Sequence, residues 1–104
     1  MQILDLNRLE AQPARWSEIL RTPSLSAGIY HLKAGQADAQ QPHTEDEVYY
    51  ILSGRAKFRA GSELHTVGPG ALIYVERLLE HRFLDIAEDL TVLVLFAPPE
   101  GTLK

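Results

Sequence analysis

After Pro23 this chain never runs far without a turn. Runs of β-type residues near 25–33, 47–52, 55–60, 63–67, 71–76, 81–86 and 90–97 are separated by Ala34-Gly35, Ser53-Gly54, Gly61-Ser62, Gly68-Pro69-Gly70 and Ala87-Glu88-Asp89. Such spacing leaves no room for the crossover helices that a parallel sheet requires. It predicts an all-β domain, a small antiparallel sandwich or barrel. The remaining helical signal is N-terminal. In NRLEAQPARWSEILR, Trp16, Ile19 and Leu20 stand three and four apart, as on one face of a short helix starting near Pro13. The expected layout is an N-terminal arm or short helix over 1–23, a barrel over 24–97 and a frayed tail over 98–104.

Composition excludes several function classes. With no cysteine among 104 residues, disulfides, thiolate metal sites and cysteine nucleophiles are ruled out, and a reducing cytoplasm is the expected setting. The ten basic residues are scattered and the net charge is −4, so no basic face for nucleic acid is expected. The apolar run Leu90–Pro98 is about half the length of a membrane helix, and MQILDLNRLE lacks the pattern of a secretory signal; no membrane partner is expected.

Chemistry concentrates in QPHTEDEVYY, residues 41–50, where His43 precedes Glu45, Asp46 and Glu47. In a strand, Glu47, Tyr49 and Ile51 share one face, and by the same rule His81, Phe83 and Asp85 share another. If both faces look into a barrel, two imidazoles and a carboxylate converge. That donor set suits divalent iron, zinc, manganese or nickel. Other candidates have plainer readings. Glu45 and Asp46 fit a solvated turn, His65 and His31 fit ordinary strand positions, and Tyr49, Tyr74 and Phe83 fit core packing, with either tyrosine hydroxyl able to reach a cavity.

The wider spacing resembles the cupin family. Gly35, five residues, Gln41-Pro42-His43, three residues, Glu47, six residues and Gly54 reproduce the first cupin motif, with Gln41 where the first histidine belongs. Gly70 and His81 are similarly placed to the second motif, with Glu76 for its proline, Leu78 for its glycine and Asp85 for its asparagine. Fifteen residues, 55–69, separate the motifs, and the resemblance covers about 24–97. It implies a jelly-roll barrel that binds one divalent metal through His43, Glu47 and His81, with Gln41 at a fourth ligand position. The missing Pro-x-Gly implies a reshaped connection before His81, such as a single helical turn, because Glu76–Glu80 holds no residue suited to positive φ. The function expected is a small metalloenzyme acting on a small molecule, dioxygenase ahead of isomerase or lyase. Its alternatives are a non-catalytic binding cupin and a metal-free sugar isomerase or epimerase. A homodimer is expected.

Overall fold

The computed structural model describes residues 1–9, 15–38 and 42–102. A four-residue helix, α1 (Leu6–Leu9), precedes six strands: β1 (Trp16–Arg21), β2 (Ser26–Leu32), β3 (Asp46–Ala60), β4 (Glu63–Val67), β5 (Leu72–Val75) and β6 (His81–Ala97). All pairings are antiparallel, in the order β1-β2-β6-β3-β4, with β5 also on β3. The all-β jelly-roll expectation holds. Among the described residues no helix is long and apolar enough to cross a membrane.

Four of the expected strands are halves of two long ones. β3 and β6 pair from Asp46↔Ala97 to Ala60↔His81, and their register shifts between Ile51 and Lys57. There both strands fold over. Tyr49 and Phe58 are nine residues apart, which on a straight strand would be ~30 Å, yet their ring centroids are 5.5 Å apart. Gly54 permits the fold-over. Its φ is +94°, and a Cβ there would lie 2.2 Å from the Asp89 carbonyl oxygen.

The result is two facing layers. The larger holds β1, β2, the C-terminal half of β6, the N-terminal half of β3 and β5. The smaller holds the N-terminal half of β6, the C-terminal half of β3 and β4. Between them Tyr49, Phe58 and Phe83 form an aromatic triangle with centroids 4.9–5.5 Å apart. Such edge-to-face pairs add about 0.5–1.5 kcal/mol each beyond area burial. Leu32, Ile51, Leu90, Val92 and Val94 complete this core.

Three expectations need correcting. Trp16–Arg21 is strand β1 rather than a helix. A register shift between Glu18 and Leu20 breaks its two-residue period and leaves an apolar spacing that imitates a helix. Asp85 does not share the inward face of His81 and Phe83. Its φ of +47° ends the alternation, turns its side chain out toward Lys57 at 3.8 Å, and gives the buried position to Ile86. Third, the turn before His81 keeps its positive φ without glycine: Leu78, in the motif's glycine position, sits at φ +67°. Its N–H donates to the His43 carbonyl at 2.7 Å, tying the turn to the other motif.

Candidate metal centre

His43 enters on the loop before β3, Glu47 is the second residue of β3, and His81 opens β6. The first two belong to the larger layer and His81 to the smaller. Strand alternation turns Glu47 and His81 inward, and both side chains are 1% exposed, against 22% for His43. One ligand atom from each lies within 4.8 Å of the others. The Glu47 Oε1 oxygen is 3.0 Å from His81 Nε2 and 3.9 Å from His43 Nε2. The sequence placed these three residues together, and they are together. Gln41 lies outside the described residues.

His81 has a defined orientation. Its Nδ1 is 2.7 Å from the Leu79 carbonyl oxygen, which can only accept, so Nδ1 carries a proton. In the neutral ring Nε2 therefore has a lone pair, facing Glu47 and the Tyr49 hydroxyl 3.0 Å away. Burial by itself would lower the pKa of this imidazole. The Glu47 carboxylate, the Leu79 carbonyl and the charge of Asp38 outweigh burial and hold it above the ordinary histidine value. Glu47 is in the opposite position: neither of its oxygens has a hydrogen-bond partner, although both are buried. Its 3.0 Å approach to His81 is close but not aligned as a hydrogen bond. A buried carboxylate in that state costs several kcal/mol unless a cation meets it, either a protonated His81 or a metal ion. The donor set and its orphaned oxygens fit a divalent metal ion.

Beside these ligands lies a cavity of about 180 Å³, walled by Trp16, Tyr30, Val94 and Phe96 and bounded by His43, Glu47 and Glu100. The His43 ring packs edge-on against Phe96 at 4.8 Å. Glu100 was not expected here, because the tail was expected to fray. Instead, residues 98–102 are fastened. The Glu100 N–H donates to Ser26 Oγ at 2.9 Å, Arg21 donates to the Glu100 carbonyl at 2.9 Å, and the Gly101 N–H donates to Glu45 Oε1 at 3.0 Å. Glu45 is thus a buried anchor, 2% exposed, rather than part of a solvated turn. The Glu100 carboxylate ends 3.8 Å from His43 Nδ1. Burial first, then the negative charges of Glu47, Glu18 and Glu45 against the opposing pull of His43, raise its pKa.

The remaining candidates separate cleanly. His65 is an exposed strand residue and Tyr74 is exposed on β5, whereas Tyr49 is fully buried with its hydroxyl at His81. Phe83 is core, and His31 pairs with Thr91 Oγ1 at 3.3 Å, on the opposite side of β2 from Tyr30. Sequence reasoning also missed Asp38. This buried carboxylate accepts from Tyr30 Oη at 2.9 Å and the Phe83 N–H at 2.8 Å, fastening the start of motif one to both layers. Burial and then Asp38 push the Tyr30 pKa up to about 12.

Comparison with known proteins decides the family: the cupin domain family matches residues 28–97. The chain is a cupin. It is 43% identical over 105 residues to an uncharacterised Streptomyces coelicolor protein, covering 97% of this chain and 100% of that one. The crystal structure of TT1209 from Thermus thermophilus is 30% identical and superposes with a TM-score of 0.75, covering 95% of this chain and 99% of that one. DMSP lyase DddQ from Ruegeria pomeroyi is 24% identical with a TM-score of 0.72, covering 86% of this cupin and 49% of the lyase, a likeness of fold alone.

Proposed function

We propose that this cupin is a small metalloenzyme that holds one divalent ion through His43, Glu47 and His81 and acts on a small molecule in the adjoining cavity. The observation that carries the reading is Glu47, a buried carboxylate whose oxygens accept no hydrogen bond and whose Oε1 faces two imidazole nitrogens at 3.0 and 3.9 Å. A divalent ion bound there supplies Lewis-acid polarisation or a place to hold dioxygen and substrate together, the basis for favouring a dioxygenase over an isomerase or lyase. The chain's own residues do the rest. The Leu79 carbonyl fixes which His81 nitrogen faces the site, Trp16, Tyr30, Val94 and Phe96 exclude water, and the Tyr49 hydroxyl carries a proton 3.0 Å from His81. Elemental analysis of protein purified without chelator tests the reading. A stoichiometric divalent metal is expected, and protein that stays empty after incubation with iron, zinc, manganese and nickel sinks it. Gln41→His should add an imidazole at the fourth motif position and tighten binding by about ten-fold, or about 1.4 kcal/mol.

A second reading rests on the Glu47–His81–Tyr49 contact itself, in which imidazole, carboxylate and phenol already meet. It is metal-free acid–base chemistry of the isomerase or epimerase kind. Tyr49→Phe separates the two: it removes turnover in the acid–base scheme and leaves metal affinity within a few-fold.

Assembly belongs to the same proposal. A second copy covers the outer face of the larger layer, where Tyr50 pairs with Leu72 and Leu93 and Val48 pairs with Tyr74 and Leu95. Leu72 and Tyr74, 71% and 64% exposed, lie on β5, which among the described residues pairs with β3 alone. An apolar face, with Asp46 and Glu76 at its rim beside Tyr74, next to a strand edge that no other described strand pairs, suits an isologous two-fold contact.

A further inference from the structure

The cavity beside the metal ligands has apolar walls and only negative charge at its polar end. Trp16 meets Tyr30 and Phe96 edge-to-face at 6.4 and 6.1 Å, and Val94 adds an aliphatic surface. Trp16 can lie there because Gly28 has no side chain: a Cβ at that position would stand 2.3 Å from the indole. The polar lining consists of His43, Glu47 and Glu100, and no lysine or arginine lines the cavity among the described residues. Glu100 is placed, not incidental, since its backbone is fastened on both sides by Ser26 and Arg21.

Charge counting gives Glu100 a function. A divalent ion held by two neutral imidazoles and the Glu47 carboxylate leaves one net positive charge, which would attract anionic substrates. Glu100, 3.8 Å from His43, cancels it. We propose that Glu100 is the specificity-determining residue of this pocket, making it reject anions and admit a compact apolar molecule with an uncharged or amine hydrogen-bond-donating head. Size points the same way. A cavity of about 180 Å³ is of the size that holds one small ring and its substituent. The inference rests on the reading above in taking this cavity as the substrate's place.

Trp16 is the only tryptophan of the chain and forms a wall of the cavity, so its fluorescence and indole N–H resonance report on occupancy. The test titrates benzyl alcohol, benzylamine and benzoate, three ligands of one shape and different charge, into chelator-stripped and metal-loaded protein. In the stripped wild type, the alcohol and the amine should bind at least about ten-fold more tightly than benzoate. Glu100→Gln, checked for folding by near-ultraviolet circular dichroism, should reduce that gap to about three-fold or less and make benzoate the preferred ligand of the metal-loaded protein. Benzoate binding as tightly as the alcohol to wild type overturns the proposal. So does an unchanged gap in Glu100→Gln, or a Trp16 signal that answers none of the three. The stripped-protein arm stands whether or not metal binds, so failure of the metal reading and failure of this one give different results.

Discussion

The two layers of this cupin share their inner faces but not their outer ones. Outside the larger layer, Val48, Tyr50, Leu93, Leu95, Leu72 and Tyr74 form an apolar patch, with charge only at its rim by Tyr74. Outside the smaller, Lys57, Arg59 and Arg82 alternate with the buried Ala56, Phe58 and Phe83, and Lys57–Asp85, Arg82–Glu80 and Arg55–Glu88 pair at 3.4–3.8 Å. Exposed pairs of this kind contribute little stability and mainly keep a surface in water. One strand, β3, therefore carries an outward face fit for contact in its first half and an outward face fit for solvent in its second. Two-residue alternation, outside the interruptions at Asp85 and in β1, sets only inside and outside; the outward residues decide what each layer meets.

Four measurements would break or sharpen this contrast. The largest effect is expected where the layers meet. His81→Ala should weaken divalent-metal affinity by on the order of 100-fold or more, about 2.7 kcal/mol, while His65→Ala on β4 changes it less than about two-fold. Chelator competition measures both, and equal effects would separate His81 from the site.

The next concerns the outer faces. Tyr50→Glu on the larger layer should weaken self-association at least about ten-fold, because a dimer would bury an unpaired charge. Arg59→Glu on the smaller should leave it unchanged. Light scattering across concentration decides, and a wild type that is monomeric at high micromolar concentration removes the dimer altogether.

Backbone strain offers a smaller effect. Leu78→Gly should stabilise by about 1 kcal/mol, since a leucine at positive φ costs roughly 1–2 kcal/mol and glycine returns part of that through unfolded-chain entropy. Asp85→Gly should gain less, because aspartate tolerates that region better. Urea midpoints check both, and a destabilised Leu78→Gly would show that the side chain contributes more than its strain costs.

The smallest effect is the pH dependence of the metal-free protein. His81 and Glu100 both have folded pKa values raised above their ordinary ones. Each stabilises the fold on its protonated side: His81's contribution is complete below about 6.5 and is lost as pH rises through its raised folded value. Metal-free protein should therefore become slightly more stable as pH falls from about 8 toward 6.5. Metal-loaded protein should do the reverse, because ligand imidazoles must be neutral. Melting temperatures of the two forms that move in parallel would contradict this.

What was legible in the sequence followed from local rules. Turn residues mark strand ends directly, and two-residue alternation puts Glu47 and His81 on faces that can look inward, whereas the jelly-roll closure and the place of His43 beside them were legible only through the resemblance to the cupin motifs. The rest depended on events that spacing does not encode. The bulge in β1 gave Trp16, Ile19 and Leu20 a helical rhythm and hid the residue that walls the cavity. A positive φ turned Asp85 outward, and another let Leu78 do glycine's work. Glu100 became visible only once Ser26, Arg21 and Glu45 were seen to hold a segment whose composition reads as a loose end.

The division of His43, Glu47 and His81 between two layers has a kinetic consequence. His81 and Glu47 meet only after both long strands have folded over and the layers have closed, a set of contacts far apart in the chain and slow to form. An ion held by them gains nothing from a half-folded chain, so it should barely change the folding rate. It should slow unfolding instead, because the ties between the layers must break before they part. For this protein, metal would act as a latch on a door already shut.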